Sequence, residues 1–220
     1  AYAENPFAMP LGRKVAEEDI CEADVVIYVI SRISGEGKDR RRVKGDYYLS
    51  EREEEDLRYL AEMNKPVILI LNAGGPVELT DILEQTDNIK GILNISQLGQ
   101  EGGDALADVL LGKEVPGGKL TTTWARRYED YPASEEYGYL NGNLEKEKYK
   151  EGIYVGYRYF DSFDKKVMFP FGFGLSYTMF EMKCCSINME ESKIRAEVQV
   201  TNTGNELSLI HISEPTRLQL

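Results

Sequence analysis

The chain has 220 residues, 42% hydrophobic and 29% charged, which is the composition of a soluble globular protein with room for one large domain or one and a half ordinary ones. A formal net charge of −12 argues against a nucleic-acid partner, which needs a basic footprint, and no apolar run approaches the ~20 residues that span a bilayer. The opening stretch "AYAENPFAMPLGRK" has no initiator Met, basic start or apolar core, so no secretory signal is read there and the sequence reads as the middle of a longer protein. Three cysteines, Cys21 alone and Cys184 beside Cys185, are too few for a disulfide framework and fit a reducing, cytoplasmic compartment. Zinc-ligand spacing is absent, and the single histidine, His211, lies in an irregular tail. No cofactor or metal is expected, and chemistry, if any, falls to carboxylates.

In chain order, residues 24–31, within "ADVVIYVIS", form a β-branched apolar run expected to be a strand covered on both faces. The loop "SRISGEGKDR" (31–40) follows, with Glu36 between Gly35 and Gly37. Glycines on both sides free the backbone to turn tightly. The residues alone leave two readings open: a solvated turn that holds an acid, which is the commoner case, or a presented catalytic carboxyl. Ser50 with Glu53 three residues later makes a capping box for a helix through "SEREEEDLRYLAEMN", with Leu57, Leu60 and Ala61 as its apolar stripe. The acidic start of that helix, 50–56, reads as a solvated face with negative charge near the N-terminus.

"KPVILILN" (65–72) is a second buried strand closed by "AGGP". A short helix near Thr80, a strand over 89–95 and a helix over 99–113 come next. Strands alternating with helices predict a parallel α/β sheet, whose ligands meet the loops at the carboxyl ends of the strands. Glu36 is on such a loop. From Trp124 to Lys150 the chain is charged and tyrosine-rich without periodicity, a segment expected to pack across other surfaces. The aromatic- and glycine-dense stretch "EGIYVGYRYFDSFDKKVMFPFGFGLSYTMFEM" leads to "KIRAEVQVTNTGN", whose alternation predicts a half-buried antiparallel strand. Two strands cannot bury a core alone, so a β-sandwich begins here and stops.

Other features carry less. "NAGGP" lacks phosphate-loop spacing. Phe171, Phe173 and Tyr177 could form a sugar-stacking platform, though such clusters more often pack between domains. Glu101, in "GQEGG" at the start of the 99–113 helix, is a capping residue or a second catalytic candidate. Asp39 and Arg40 are expected to pair, with Arg32 and Lys38 adding positive charge near Glu36.

Taken in order, "ISRISGEGKDR", "KPVILILNAGGPVE", "ALADVLLGKEVPGGKLTTTW" and "EGIYVGYRYFD…FPFGFGLSYTMFE" resemble the C-terminal half of a glycoside hydrolase family 3 β-glucosidase, from roughly residue 20 to 205. The resemblance implies an incomplete α/β sandwich over 1–124, an inter-domain segment over 125–174 and a truncated fibronectin-type-III-like domain over 175–205; residues 206–220 break the strand alternation and are expected to be a non-native tail. It implies retaining hydrolysis of terminal β-D-glucosyl residues, with an oligosaccharide or aryl β-glucoside as substrate. The nucleophilic aspartate would belong to an N-terminal (β/α)8 barrel, a partner domain of the same protein. Glu36 matches the general acid/base loop of many members. A β-xylosidase of the same family and a non-catalytic carbohydrate-binding or scaffold module are the alternatives.

Overall fold

The computed structural model describes residues 13–33, 40–135, 145, 149–190 and 193–206. The chain divides into two compact units, Ala1–Gln100 with Thr123–Pro170, and Glu101–Thr122 with Phe171–Leu220.

The first unit is built on a parallel sheet of three strands in sequence order, β1 (Val26–Ser31), β2 (Val67–Asn72) and β3 (Ile89–Asn94). Register aligns Tyr28 with Leu69 and Ile92, and Ile30 with Leu71 and Asn94. A short helix, α1 (Glu17–Ile20), precedes β1, while α2 (Glu51–Glu62) and α3 (Thr80–Gln85) form the crossovers. The Ser50/Glu53 capping box is present: Ser50 Oγ accepts from the Glu53 N–H at 3.2 Å and Glu53 Oε2 from the Ser50 N–H at 2.7 Å. Together these satisfy two of the helix's otherwise orphaned donors.

Tyr28 donates its hydroxyl to Asp56 Oδ2 of α2 at 3.1 Å, which sets α2 over the face of β1 that carries Tyr28 and Ile30. Leu57 and Leu60 of α2 are buried with Tyr28, Ile30, Leu69 and Leu71, as strand period 2 and helix period 3.6 require. The other face of β1 departs from expectation. Ile27 and Val29 are 50% and 47% exposed, so the strand is covered on one face only. An apolar run shows that a strand can tolerate two covered faces; burial of the second needs a layer that no described element supplies to β1. The acidic start of α2 also differs from the solvated face expected, because Glu53 and Asp56 are buried.

The rest of the unit is an aromatic seam. β4 (Trp124–Ala125) pairs antiparallel with β5 (Val167–Phe169), and Trp124 meets Phe169 edge-on at 6.0 Å. A 3-10 turn at Tyr128–Asp130 and the helix α5 (Tyr157–Ser162) bring Tyr47, Tyr128, Tyr131 and Phe160 into successive edge contacts at 5.2, 6.2 and 5.8 Å. Tyr128 and Tyr131 of the aperiodic 124–150 stretch thus join a packing line that runs from Tyr47 to Phe160.

The second unit holds a helix and a hairpin. The helix is α4 (Gly102–Leu110), and the hairpin pairs β6 (Phe180–Glu190) antiparallel with β7 (Lys193–Asn202), with a register shift between Cys184 and Ser186. Within "FPFGFGLSY", the backbone of 171–174 locks onto Leu120: its N–H donates to Phe173 O at 2.8 Å and its O accepts from the Gly172 N–H at 2.7 Å. Gly172 takes φ +78°, and a side chain at Gly174 would strike the Gly118 carbonyl, so both positions require glycine. Here too the structure corrects an expectation. β7 is exposed along its length except at Val200, because among the described residues no second sheet lies against the two-stranded hairpin.

Candidate functional site

Glu36, together with Ser34, Gly35, Gly37, Lys38 and Asp39, lies outside the described residues. What can be built is the frame on either side of that segment, at the carboxyl ends of the parallel strands. There the loops after β1, β2 and β3 are joined by hydrogen bonds. Arg40, after β1, donates to the carbonyl of Pro76 on the β2 loop at 2.6 Å. Gln97, on the β3 loop, donates to the carbonyl of Arg32 at 3.4 Å.

Arg32 directly follows β1 and is buried. All five guanidinium N–H groups find acceptors. The two Nη atoms clasp Glu53 in a fork, each at 2.7 Å. Nε donates to Asp46 O at 2.8 Å, Nη1 to Ser31 O at 2.8 Å, and Nη2 to Tyr48 O at 3.3 Å. The charge expected to stand near Glu36 is therefore engaged by Glu53, a bidentate arrangement that the flat guanidinium suits and an ammonium would not.

Arg40 opens the other side of the segment. It forms an ion pair, and the partner is Asp46: Nε donates to Oδ1 at 2.8 Å and Nη2 to the carbonyl at 2.6 Å. The pairing with Asp39 expected from the sequence falls outside the described residues. Asp46 is 0% exposed, and its second carboxylate oxygen accepts the Arg41 N–H at 2.6 Å. Neither Asp46 nor Glu53 carries a local signal of this role, since their partners lie 6 and 21 positions away in the chain.

Glu78, on the β2 loop, was not singled out from the sequence. Burial pushes its carboxyl up from the ordinary value, against the pull of the Tyr128 N–H and the Arg127 guanidinium, which donate to it at 2.9 and 3.3 Å. Such a shift in a cleft can mark a catalytic acid, but these two donors make Glu78 a brace between the β2 loop and the 3-10 turn. Arg127 extends to Asp81 at 2.5 Å, and that bond lowers the Asp81 pKa.

The remaining candidates lie in the second unit. Glu101 occupies the N-cap position of α4, yet its side chain makes no capping bond and is exposed. Phe171, Phe173 and Tyr177 are exposed, and the Tyr177 hydroxyl is tied to Val109 O of α4 at 2.9 Å. That tether gives Tyr177 a packing role within its unit. No helix among the described residues is long and apolar enough to cross a membrane.

Residues 10–157 match the family model of the glycosyl hydrolase family 3 C-terminal domain. Beta-glucosidase A of Butyrivibrio fibrisolvens is 40% identical over 183 residues, covering 72% of this chain and 22% of that protein. A beta-glucosidase of Ruminococcus albus is 37% identical over 211 residues, covering 94% of this chain and 22% of that protein. Among solved structures, beta-glucosidase 3B from Thermotoga neapolitana in complex with glucose matches with 44% identity and a TM-score of 0.74, over 82% of this chain and 26% of that one. A beta-glucosidase from Paenibacillus barengoltzii matches at 34% identity and a TM-score of 0.81, over 91% of this chain and 22% of that one. The chain thus spans about a fifth of the length of the curated relatives it matches.

Proposed function

The chain belongs to glycoside hydrolase family 3, and from that premise we propose that it is one part of a retaining β-glycosidase that removes terminal non-reducing β-D-glucosyl residues, to which it contributes the acid/base loop. The observation that carries this reading is the family match across residues 10–157, which includes the Gly-Glu-Gly segment. Relatives named beta-glucosidases, one of them in complex with glucose, support glucose as the sugar. The loops joined at the carboxyl ends of β1–β3 supply a frame where such sheets hold their ligands.

A retaining glycosidase sets two carboxyl groups about 5–5.5 Å apart, one the nucleophile and one the acid/base. Glu36 is the acid/base in this reading. It protonates the leaving oxygen, then takes a proton from the water that releases the sugar. The nucleophile comes from an N-terminal barrel outside this chain, so the chain alone is inactive. By the same reading residues 1–124 are the C-terminal portion of an α/β sandwich. A connecting segment runs over 125–174, and the β6–β7 hairpin opens a fibronectin-type-III-like domain over 175–205.

The test uses the full-length protein and Glu36→Ala. General acid catalysis is worth about 10²–10⁴-fold, so kcat/KM on a β-linked disaccharide should fall by that amount. A dinitrophenyl glucoside, whose leaving group scarcely needs a proton, should still form the glycosyl-enzyme. Azide needs no base and should restore turnover, yielding β-glucosyl azide. A well-folded variant that azide does not rescue would overturn the assignment.

A further inference from the structure

We propose that Asp46 is a positioning residue for the acid/base: one buried carboxylate and its carbonyl hold both flanks of the segment that carries Glu36. The inference rests on Glu36 being the acid/base. Arg32 precedes the segment and Arg40 follows it, yet both guanidinium groups converge on the same residue. Arg32 Nε and Arg40 Nη2 donate to the Asp46 carbonyl at 2.8 and 2.6 Å. Arg40 Nε and the Arg41 N–H take one carboxylate oxygen each, at 2.8 and 2.6 Å. Each flank is then carried to a second element: Arg32 through its fork to Glu53 in α2, and Arg40 to the Pro76 carbonyl on the β2 loop.

Desolvated ion pairs return little net stability for the charges they remove from water. Their contribution here is geometric. Pinning both ends of a short chain segment removes conformations it would otherwise sample. A catalytic group misplaced by about 1 Å can cost about 10²-fold in rate. Arg40 suits this task because its fork reaches Asp46 and Pro76 together, which a lysine ammonium cannot do from one rotamer.

The experiment compares Asp46→Asn and Arg40→Lys in the full-length protein, on a β-linked disaccharide and on a dinitrophenyl glucoside. A misplaced acid hurts the substrate that needs the proton. Asp46→Asn should therefore lower kcat/KM on the disaccharide at least about tenfold more than on the activated glucoside, chiefly through kcat. In a Glu36→Ala background the same substitution should add no further loss on the disaccharide, because there is no carboxyl left to position. Arg40→Lys keeps the charge but loses the fork, so it carries the same comparison, with the folded state of each variant checked by Trp124 fluorescence. Equal losses on the two substrates, or losses that add fully to Glu36→Ala, would overturn the role of Asp46 while azide rescue of Glu36→Ala leaves the acid/base assignment standing. Failure of that rescue would remove the acid/base itself, and with it the proposal.

Discussion

The two units use similar strand sequences and treat them in opposite ways. "VIYVIS" of β1 and "KIRAEVQVTN" of β7 both carry β-branched residues at strand spacing. In the first unit Tyr28 and Ile30 are buried under α2, while in the second Ile194 is 72% exposed and Val198 50%. Among the described residues every buried apolar side chain belongs to the first unit. A strand's alternation states which face is available for burial. Whether that face is buried depends on a second layer, which α2 and α3 supply to the first unit and no described element supplies to the hairpin.

The largest test of this contrast lies under α2. Glu53→Gln would leave the Arg32 guanidinium buried beside a neutral amide, and breaking one side of a buried pair costs about 3–5 kcal/mol. Replacing both partners, Arg32→Met with Glu53→Leu, should recover part of that loss, since no stranded charge remains, while the carbonyls of Ser31 and Tyr48 and the Ser50 N–H lose their partners. Trp124 is the only tryptophan and is buried in the first unit, so its fluorescence during denaturant unfolding reads this unit directly. A single variant that unfolds at the wild-type midpoint would show that the pair is open to solvent.

A second test sets one truncation in each unit side by side. Leu60→Ala removes a side chain that is 0% exposed and should cost about 2–5 kcal/mol. Ile194→Ala, on the open hairpin, should stay within about 0.5 kcal/mol, read by amide exchange across β6 and β7. A loss at Ile194 as large as at Leu60 would mean that the hairpin face is covered after all, and the contrast between the units would fail.

The same contrast explains what was legible in the sequence. β1, β2, β3 and the cap of α2 are set by neighbours a few residues apart, and each is present near its expected limits. α1 and α5 are four and six residues of helix, and β4 and β5 two and three residues of strand, too short to leave a period. The covering of β1 and β7 was overread because a pattern cannot show a missing layer. The site frame was read least well. Arg32 stood out as a charge near Glu36, but its fork to Glu53 and the convergence on Asp46 join residues that only the folded βα loops bring together. The reading of Glu36 itself came from its motif, and the structure describes the flanks of its loop.

The smallest effects come from two carboxylates that share Arg127, one part-buried and one exposed, and they differ in sign. The Glu78 side chain is 9% exposed and that of Asp81 63%. Burial raises the Glu78 pKa above its ordinary 4.5, so the folded chain holds this proton more tightly than the unfolded chain. The stability linked to Glu78 is complete below pH 4.5 and is lost as pH rises through the raised value. The bond to Arg127 lowers the Asp81 pKa below its ordinary 3.8; that stability is present above 3.8 and is lost as pH falls through the lowered value. Glu78→Gln should therefore flatten the decline in melting temperature on the alkaline side of pH 4.5, while its amide oxygen still accepts the Tyr128 N–H. Asp81→Asn should remove only an acid-side loss, worth about 0–1 kcal/mol for an exposed ion pair, and the difference should vanish in about 1 M salt, where charges are screened within about 3 Å. Melting curves from pH 3 to 8 at low and high salt separate the two. If Asp81→Asn kept its effect in high salt, or if Glu78→Gln steepened the alkaline decline, depth of burial would not be what divides these carboxylates.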